Sequence, residues 1–194
     1  TLIVQAWLVL AVGCFLLLFF ISAPYGRHDR EGWGPRVSSL WGWVIMETTS
    51  LVVMPIIFLS SNKTDEPLAW FFLLLWEAHY LHRSWVYPFR RRSKGGQMPL
   101  VVVLMAIFFN AANSYINGAF LFHLMPNHAE NWHTSLPFLM GSALFASGMF
   151  INIQSDNILL KLGKTKEGNY QIPRGGLYQW LSCPNYFGEI MEWC

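Results

Sequence analysis

Charge is scarce in this chain: Asp, Glu, Lys and Arg make up 12% of its 194 residues, while hydrophobic residues make up 54%. Soluble domains carry about 25% charged residues, so the shortage excludes an ordinary soluble protein and points to a membrane one. Cysteine is also rare. Cys14, Cys183 and Cys194 are an odd set without paired spacing, which excludes a disulfide framework and a thiolate zinc site. No G-x-G-x-x-G follows a strand-like run, which excludes a Rossmann dinucleotide site. Internal repeats and low-complexity tracts are missing, and the linkers between apolar stretches are short, as suits a compact helical bundle. Histidine offers no metal set: His123, His128 and His133 recur every fifth residue, a spacing that does not keep them on one helix face, and they read as loop histidines.

Five apolar stretches are long enough to cross a bilayer, about 2–23, 40–60, 67–88, 98–122 and 136–160, since a spanning helix needs roughly 20 residues. A sixth begins near Leu177 and runs to Cys194. The expected fold is therefore all-α: a polytopic transmembrane bundle forming one integral membrane domain over residues 1–194, with six helices here and a chain expected to continue beyond Cys194. The first stretch lacks a basic leader and is too long for a signal-peptide core, so it reads as a membrane helix. Charge then orients the chain. Arg27, Arg30 and Arg36 lie between stretches one and two; Arg90, Arg91, Arg92 and Lys94 between three and four; Lys161, Lys164, Lys166 and Arg174 between five and six, while Lys63 stands alone on the opposite side. The positive-inside rule puts those three loops in the cytoplasm and the N-terminus outside it, in a bacterial inner membrane or the endoplasmic reticulum. The net charge of +2 reflects this topology and implies lipid contact, not a nucleic-acid partner; the chain is expected to act as a monomer.

Polar residues inside the spans carry the functional signal, because a mid-membrane acid costs about 2.5 to 3.5 kcal/mol even on permissive insertion scales. Glu47 sits in the second stretch, ahead of Met54-Pro55, where a kink is expected. The third holds Glu77, His79, Tyr80, His82 and Arg83 within seven residues. Two readings stay open there: Arg83 snorkels to the cytoplasmic end with Glu77 as its ion-pair partner, or Tyr80 and Glu47 meet as a proton-donating pair that polarises a carbonyl and stabilises an enolate. Asn110, Asn113 and Asn117 give the fourth stretch an amide face, which interhelical hydrogen bonding explains.

The last third concentrates polar groups. Asn152 and Asp156 are four apart, as are Asn185 and Glu189, with Glu192 three later, so each set projects from one helix face. Between them the basic segment 161–176 breaks helix at Pro173 and opens flexible backbone at Gly175-Gly176. Amides and carboxylates suit hydroxyls and carboxamides, Lys161, Lys164, Lys166 and Arg174 suit phosphates, Tyr170 suits a ring face, and glycines opening a helix add donors for an anion. A nucleotide fits this mix, held among membrane helices.

Three motifs then identify a family: N-x-x-x-D on the fifth stretch, Y-x-I-P-x-G-G from Tyr170, and N-Y-F-G-E-I-x-E-W from Asn185. With HYLHRSWVYP upstream and the Glu of the second stretch, the chain from about Trp41 onward resembles the steroid 5α-reductase family, the 3-oxo-5α-steroid 4-dehydrogenases. The resemblance implies a seven-helix membrane reductase that uses NADPH to reduce the 4,5 double bond of a 3-oxo-Δ4 steroid, with hydride going to C5 and a proton to C4. It implies that Glu47 and Tyr80 hold the 3-keto oxygen, Tyr80 as donor or polariser. It also implies cofactor roles for Arg83, Asn152, Asp156, Tyr170, Asn185 and Glu189, and for Lys164 in place of a family arginine at Gly163-Lys164. Met46 stands where relatives often have Gln, and Met105 where they have Arg. Two other classes remain open: a membrane methyltransferase of the isoprenylcysteine carboxyl type, which needs no intramembrane Glu and Tyr pair, and a non-catalytic helical membrane protein.

Overall fold

The computed structural model describes residues 2–24, 28, 30–91, 96–126, 131–162 and 171–194. Apolar runs and a few breakers set its elements: α1 (Leu2–Leu17), α2 (Ser39–Leu59), α3 (Pro67–Leu81), α4 (Tyr87–Arg90), α5 (Leu100–Ala119), α6 (Leu136–Lys161) and α7 (Pro184–Glu192). The described strands are β1 (Arg36–Ser38) and β2 (Gln97–Pro99). Three helical segments are long and apolar enough to cross a membrane, Ser39–Leu59, Leu100–Leu124 and Leu136–Lys161. The fold is the all-α membrane type that the hydropathy implies.

Two stretches read as single spans contain π-turns. His82–Val86 joins α3 to α4, and Phe120–Leu124 extends α5. His123, expected in a loop, lies in the second of these turns, where its Nε2 is 3.3 Å from both Ser60 Oγ and Ile57 O. α2 runs on through Pro55 as one helix. The sixth stretch differs most from expectation: it forms a short 3-10 turn, Gly176–Gln179, and then the nine-residue α7. Pro184 explains the break, because a proline favours the first turn of a new helix and drives the preceding residue out of helical backbone; Cys183 has φ −137° and ψ 68°.

The residues group into two compact units, Thr1–Met125 and Pro126–Cys194. In the first, β1 and β2 pair antiparallel, Arg36 opposite Pro99 and Ser38 opposite Gln97. That clip brings the starts of α2 and α5 together, so the two helices run parallel. Asn110 donates to Met46 O at 2.7 Å, and two to three turns further on Gly118 lies against Met54 and Ile57. A core of Met54, Phe58, Leu73, Trp76, Tyr80 and Phe122 joins α2, α3 and the end of α5. Lys63 is 8% exposed and donates its ammonium to Met125 O at 2.6 Å, which closes a helix-terminal carbonyl. α1 has no buried residue; Trp7 stacks on Phe109 of α5 with ring centroids 5.5 Å apart.

In the second unit, α6 and α7 run antiparallel and touch backbone to backbone. A Cβ at Gly148 would lie 2.5 Å from Gly188 O, and a Cβ at Gly188 the same distance from Gly148 O. Only glycine allows that approach, the small-residue contact by which membrane helices pack without a hydrophobic drive between them.

Candidate functional site

In the first unit, two contacts set the register of α2 against α3. Trp43 Nε1 donates to Arg83 O at 3.0 Å, and Phe58 packs on Trp70 with ring centroids 4.7 Å apart. One helical turn beyond Trp43 is Glu47, and about one turn before Arg83 is Tyr80. The paired helices therefore carry Glu47 and Tyr80 at one level. Tyr80 is 7% exposed, its ring centroid 5.0 Å from those of Trp76 and His79, while Glu47 is half-buried. A phenol flanked by rings, at the level of a carboxyl on the neighbouring helix, is of the chemical type that can grip a carbonyl oxygen.

Arg83 does not take the ion-pair geometry first considered for it. Its guanidinium lies 5.0 Å from the Trp43 ring centroid and 5.2 Å from that of Tyr87, and Arg91 approaches Trp43 at 5.7 Å. Glu77 Oε1 is buried without a hydrogen-bond partner among the described residues. Two cations on one indole form a fixed positive patch of the kind that receives phosphate. Trp43 is the residue that sequence reasoning passed over; the signal for it was Pro88, whose missing N–H leaves a carbonyl upstream in need of an outside donor.

The amide face of α5 divides. Asn110 bridges to α2, whereas Asn117 bonds Asn113 on its own helix at 2.9 and 3.1 Å.

In the second unit the two polar faces meet. Asn152 Nδ2 lies 3.1 Å from both Asn185 O and Glu189 Oε1, and Asn185 Nδ2 reaches Asp156 Oδ1 at 3.5 Å. Asn152 and Asp156 are buried at 3% and 2% exposure, and Glu192 at 6%. The Gly148–Gly188 crossing makes this possible, since it brings the two backbones close enough for short amide and carboxylate side chains to touch. Tyr178 follows at 3.5 Å from Ser155 O. The helix that Gly175-Gly176 open is one 3-10 turn, with both glycines at positive φ, 96° and 52°. Arg174 is exposed. Lys164 and Tyr170 lie outside the described residues.

The structure thus brings Asn152, Asp156, Asn185 and Glu189 together, and sets Glu47 level with Tyr80 one turn from Arg83. A family model described as 3-oxo-5-alpha-steroid 4-dehydrogenase matches residues 96–194, more than half of the chain. The chain belongs to the 3-oxo-5-alpha-steroid 4-dehydrogenase family. Similar proteins include steroid 5-alpha-reductase DET2 of Gossypium hirsutum, 36% identical over 188 residues, covering 95% of this chain and 73% of the relative. DET2 of Arabidopsis thaliana is 38% identical over 184 residues, covering 92% and 70%. The human 3-oxo-5-alpha-steroid 4-dehydrogenase 1 is 39% identical over 194 residues, covering 97% and 74%. As a member of this dehydrogenase family the chain is an oxidoreductase acting on CH–CH bonds. These alignments run upstream of residue 96 and include the Glu47 and Tyr80 helices.

Proposed function

We propose that this chain reduces the 4,5 double bond of 3-oxo-Δ4 steroids, or of similarly shaped enone lipids, to the 5α-3-oxo product with NADPH as reductant. The observation that carries the reading is the register of α2 on α3, pinned at Trp43 and Arg83, which sets a phenol and a carboxyl at one depth. The substrate class comes from the relatives named above.

The Tyr80 phenol donates to the 3-keto oxygen of the substrate and draws electron density out of the conjugated system. Glu47 holds the same oxygen from α2 and fixes the angle at which the ketone meets Tyr80. Tyr80 acts in a setting walled by Trp76, His79 and the apolar core, where a hydrogen bond to the developing enolate is stronger than in water. NADPH, when bound, would supply hydride to C5, and a proton from water would complete the reduction at C4.

The chemistry of the donor sets fits that cofactor. Arg83, with Arg91 nearby on the Trp43 ring, offers the cations that phosphate groups need. Asn152, Asp156, Asn185 and Glu189 offer the mixture of amide and carboxylate that ribose hydroxyls and a carboxamide need. Lys164 takes the phosphate role in place of the family arginine, and Tyr170, a cofactor-site residue by the family resemblance, suits a ring face. The enzyme works as a monomer in lipid, with its N-terminus outside the cytoplasm.

NADPH consumption by purified protein in lipid vesicles, started by adding a 3-oxo-Δ4 steroid, tests the reading. Steroid-dependent oxidation with formation of the 5α product is the expected result. Methyl transfer from S-adenosylmethionine without steroid-dependent oxidation would overturn it.

A further inference from the structure

The π-turn at His82–Val86 leaves one carbonyl in an unusual position. In an α-helix the carbonyl of residue i accepts from the N–H four residues on, and in a π-turn from the N–H five on. For Arg83 those residues are Tyr87 and Pro88. The Tyr87 N–H goes to His82 O, and Pro88 has no N–H to give. Neither of the two ordinary helical donors therefore serves Arg83 O. Trp43 Nε1 of α2 donates to it at 3.0 Å.

The same indole also holds the other end of Arg83. Its ring centroid is 5.0 Å from the Arg83 guanidinium, Tyr87 lies on the guanidinium at 5.2 Å, and the two rings are 5.8 Å apart at 49°. Trp43 is 8% exposed, so its placement is fixed by packing. Ser84 Oγ donates to Tyr80 O at 2.6 Å within the same turn, which locks the segment further. A long, flexible side chain is thus gripped at backbone and head by one rigid ring, and its charge is presented without the rotamer freedom that would weaken an ion contact.

We infer that Trp43 is a positioning residue for cofactor binding: by donating to Arg83 O and stacking on the Arg83 guanidinium, it fixes the cation that meets a phosphate group of the nucleotide. The inference rests on the reductase reading proposed above. A plain core tryptophan would support the fold without acting through Arg83, and a mutant cycle separates the two.

The experiment measures NADPH affinity by calorimetry, with steroid KM and kcat alongside, for purified protein carrying Trp43→Phe or Trp43→Leu, each made with Arg83 intact and with Arg83→Ala. Trp43→Phe keeps the ring and loses the donor, so the NADPH dissociation constant should rise about fivefold. Trp43→Leu loses both and should raise it about tenfold or more, with steroid KM within about twofold of the parent protein. In the Arg83→Ala background both effects should shrink below about twofold. Should Trp43→Leu fail to fold, Trp43→His carries the test with Trp43→Phe; it keeps a ring donor and is expected within about threefold of the parent. Equal losses in the two Arg83 backgrounds, or no loss at all, would overturn the inference while leaving the reductase reading intact. A parent protein that binds no NADPH would overturn both.

Discussion

In the first unit, Asn110, Trp43 and Lys63 each donate to a main-chain carbonyl of another element, at 2.7, 3.0 and 2.6 Å. At the α6 and α7 crossing side chains also address one another: Asn152 bonds Glu189 at 3.1 Å as well as Asn185 O, and Asn185 meets Asp156 at 3.5 Å. The difference has a physical meaning. A side chain bound to a carbonyl of a neighbouring helix fixes the spacing and depth of both helices, and a ligand cannot replace it without opening the pair. A bond between two exchangeable side chains can be surrendered to a hydroxyl or amide of a ligand at little net cost, since one hydrogen bond takes the place of another. The first unit thus spends its polar groups on holding α2, α3 and α5 in register, which is what a pair such as Glu47 and Tyr80 requires. The second holds part of its polar set in side-chain pairs, as the cofactor role proposed above requires.

The largest expected effect breaks the chemistry on the braced side. Tyr80→Phe leaves the ring between Trp76 and His79 and removes only the phenol O–H, so turnover should fall about 10³-fold with NADPH affinity nearly unchanged. Steady-state kinetics and calorimetry together check it; a variant that binds NADPH poorly but turns over normally when saturated would move Tyr80 to the cofactor. Next is the crossing itself. Gly188→Ala puts a methyl 2.5 Å from Gly148 O and 2.7 Å from Asn152 N, both of them backbone atoms on a helix that cannot yield. The expected cost is about 3 kcal/mol of stability, read as a lowered thermal midpoint. An unchanged midpoint would mean that α6 and α7 do not meet there.

Much of this was legible in the sequence, for reasons that particular residues make plain. The apolar runs at 40–60, 98–122 and 136–160 became Ser39–Leu59, Leu100–Leu124 and Leu136–Lys161, because in lipid a long apolar run has no alternative to a helix. The i, i+4 spacing of Asn152 with Asp156 and of Asn185 with Glu189 named the residues that face each other across α6 and α7, since helical periodicity fixes which side chains share a face. The partners across a pair of helices were not legible. Nothing in the local pattern says that Trp43 meets Arg83, or that Arg83 leans on rings and not on Glu77; helix register is a tertiary quantity set here by the β1 and β2 clip and by core packing. The sixth stretch misled because hydropathy ignores Pro184, which divides 177–194 into a 3-10 turn and a short helix.

A smaller effect sharpens the contrast on the cofactor side. Asp156→Ala removes the partner of Asn185 Nδ2 from a site 2% exposed, and should weaken NADPH binding about tenfold, as expected for a hydrogen bond to a charged group. Calorimetry reads it directly. Undiminished affinity would make the α6 and α7 polar set a packing device like that of the first unit.

The smallest effect tests whether bracing extends along the whole α2 and α5 seam. Ser50 and Ser114 stand one turn beyond Met46 and Asn110 respectively, so the offset that joins that pair also sets the two serines level. Both are fully buried, and neither hydroxyl has a hydrogen-bond partner among the described residues. The carbonyl that Ser50 would ordinarily use, Met46 O, already accepts from Asn110 Nδ2. A hydroxyl left unmet costs its desolvation on folding, so replacing both serines by alanine should leave stability within about 1 kcal/mol of the parent, on the stabilising side. A loss well beyond that in thermal unfolding would show that these hydroxyls hold the seam after all, and that the first unit braces its helices at side-chain pairs as well as at carbonyls.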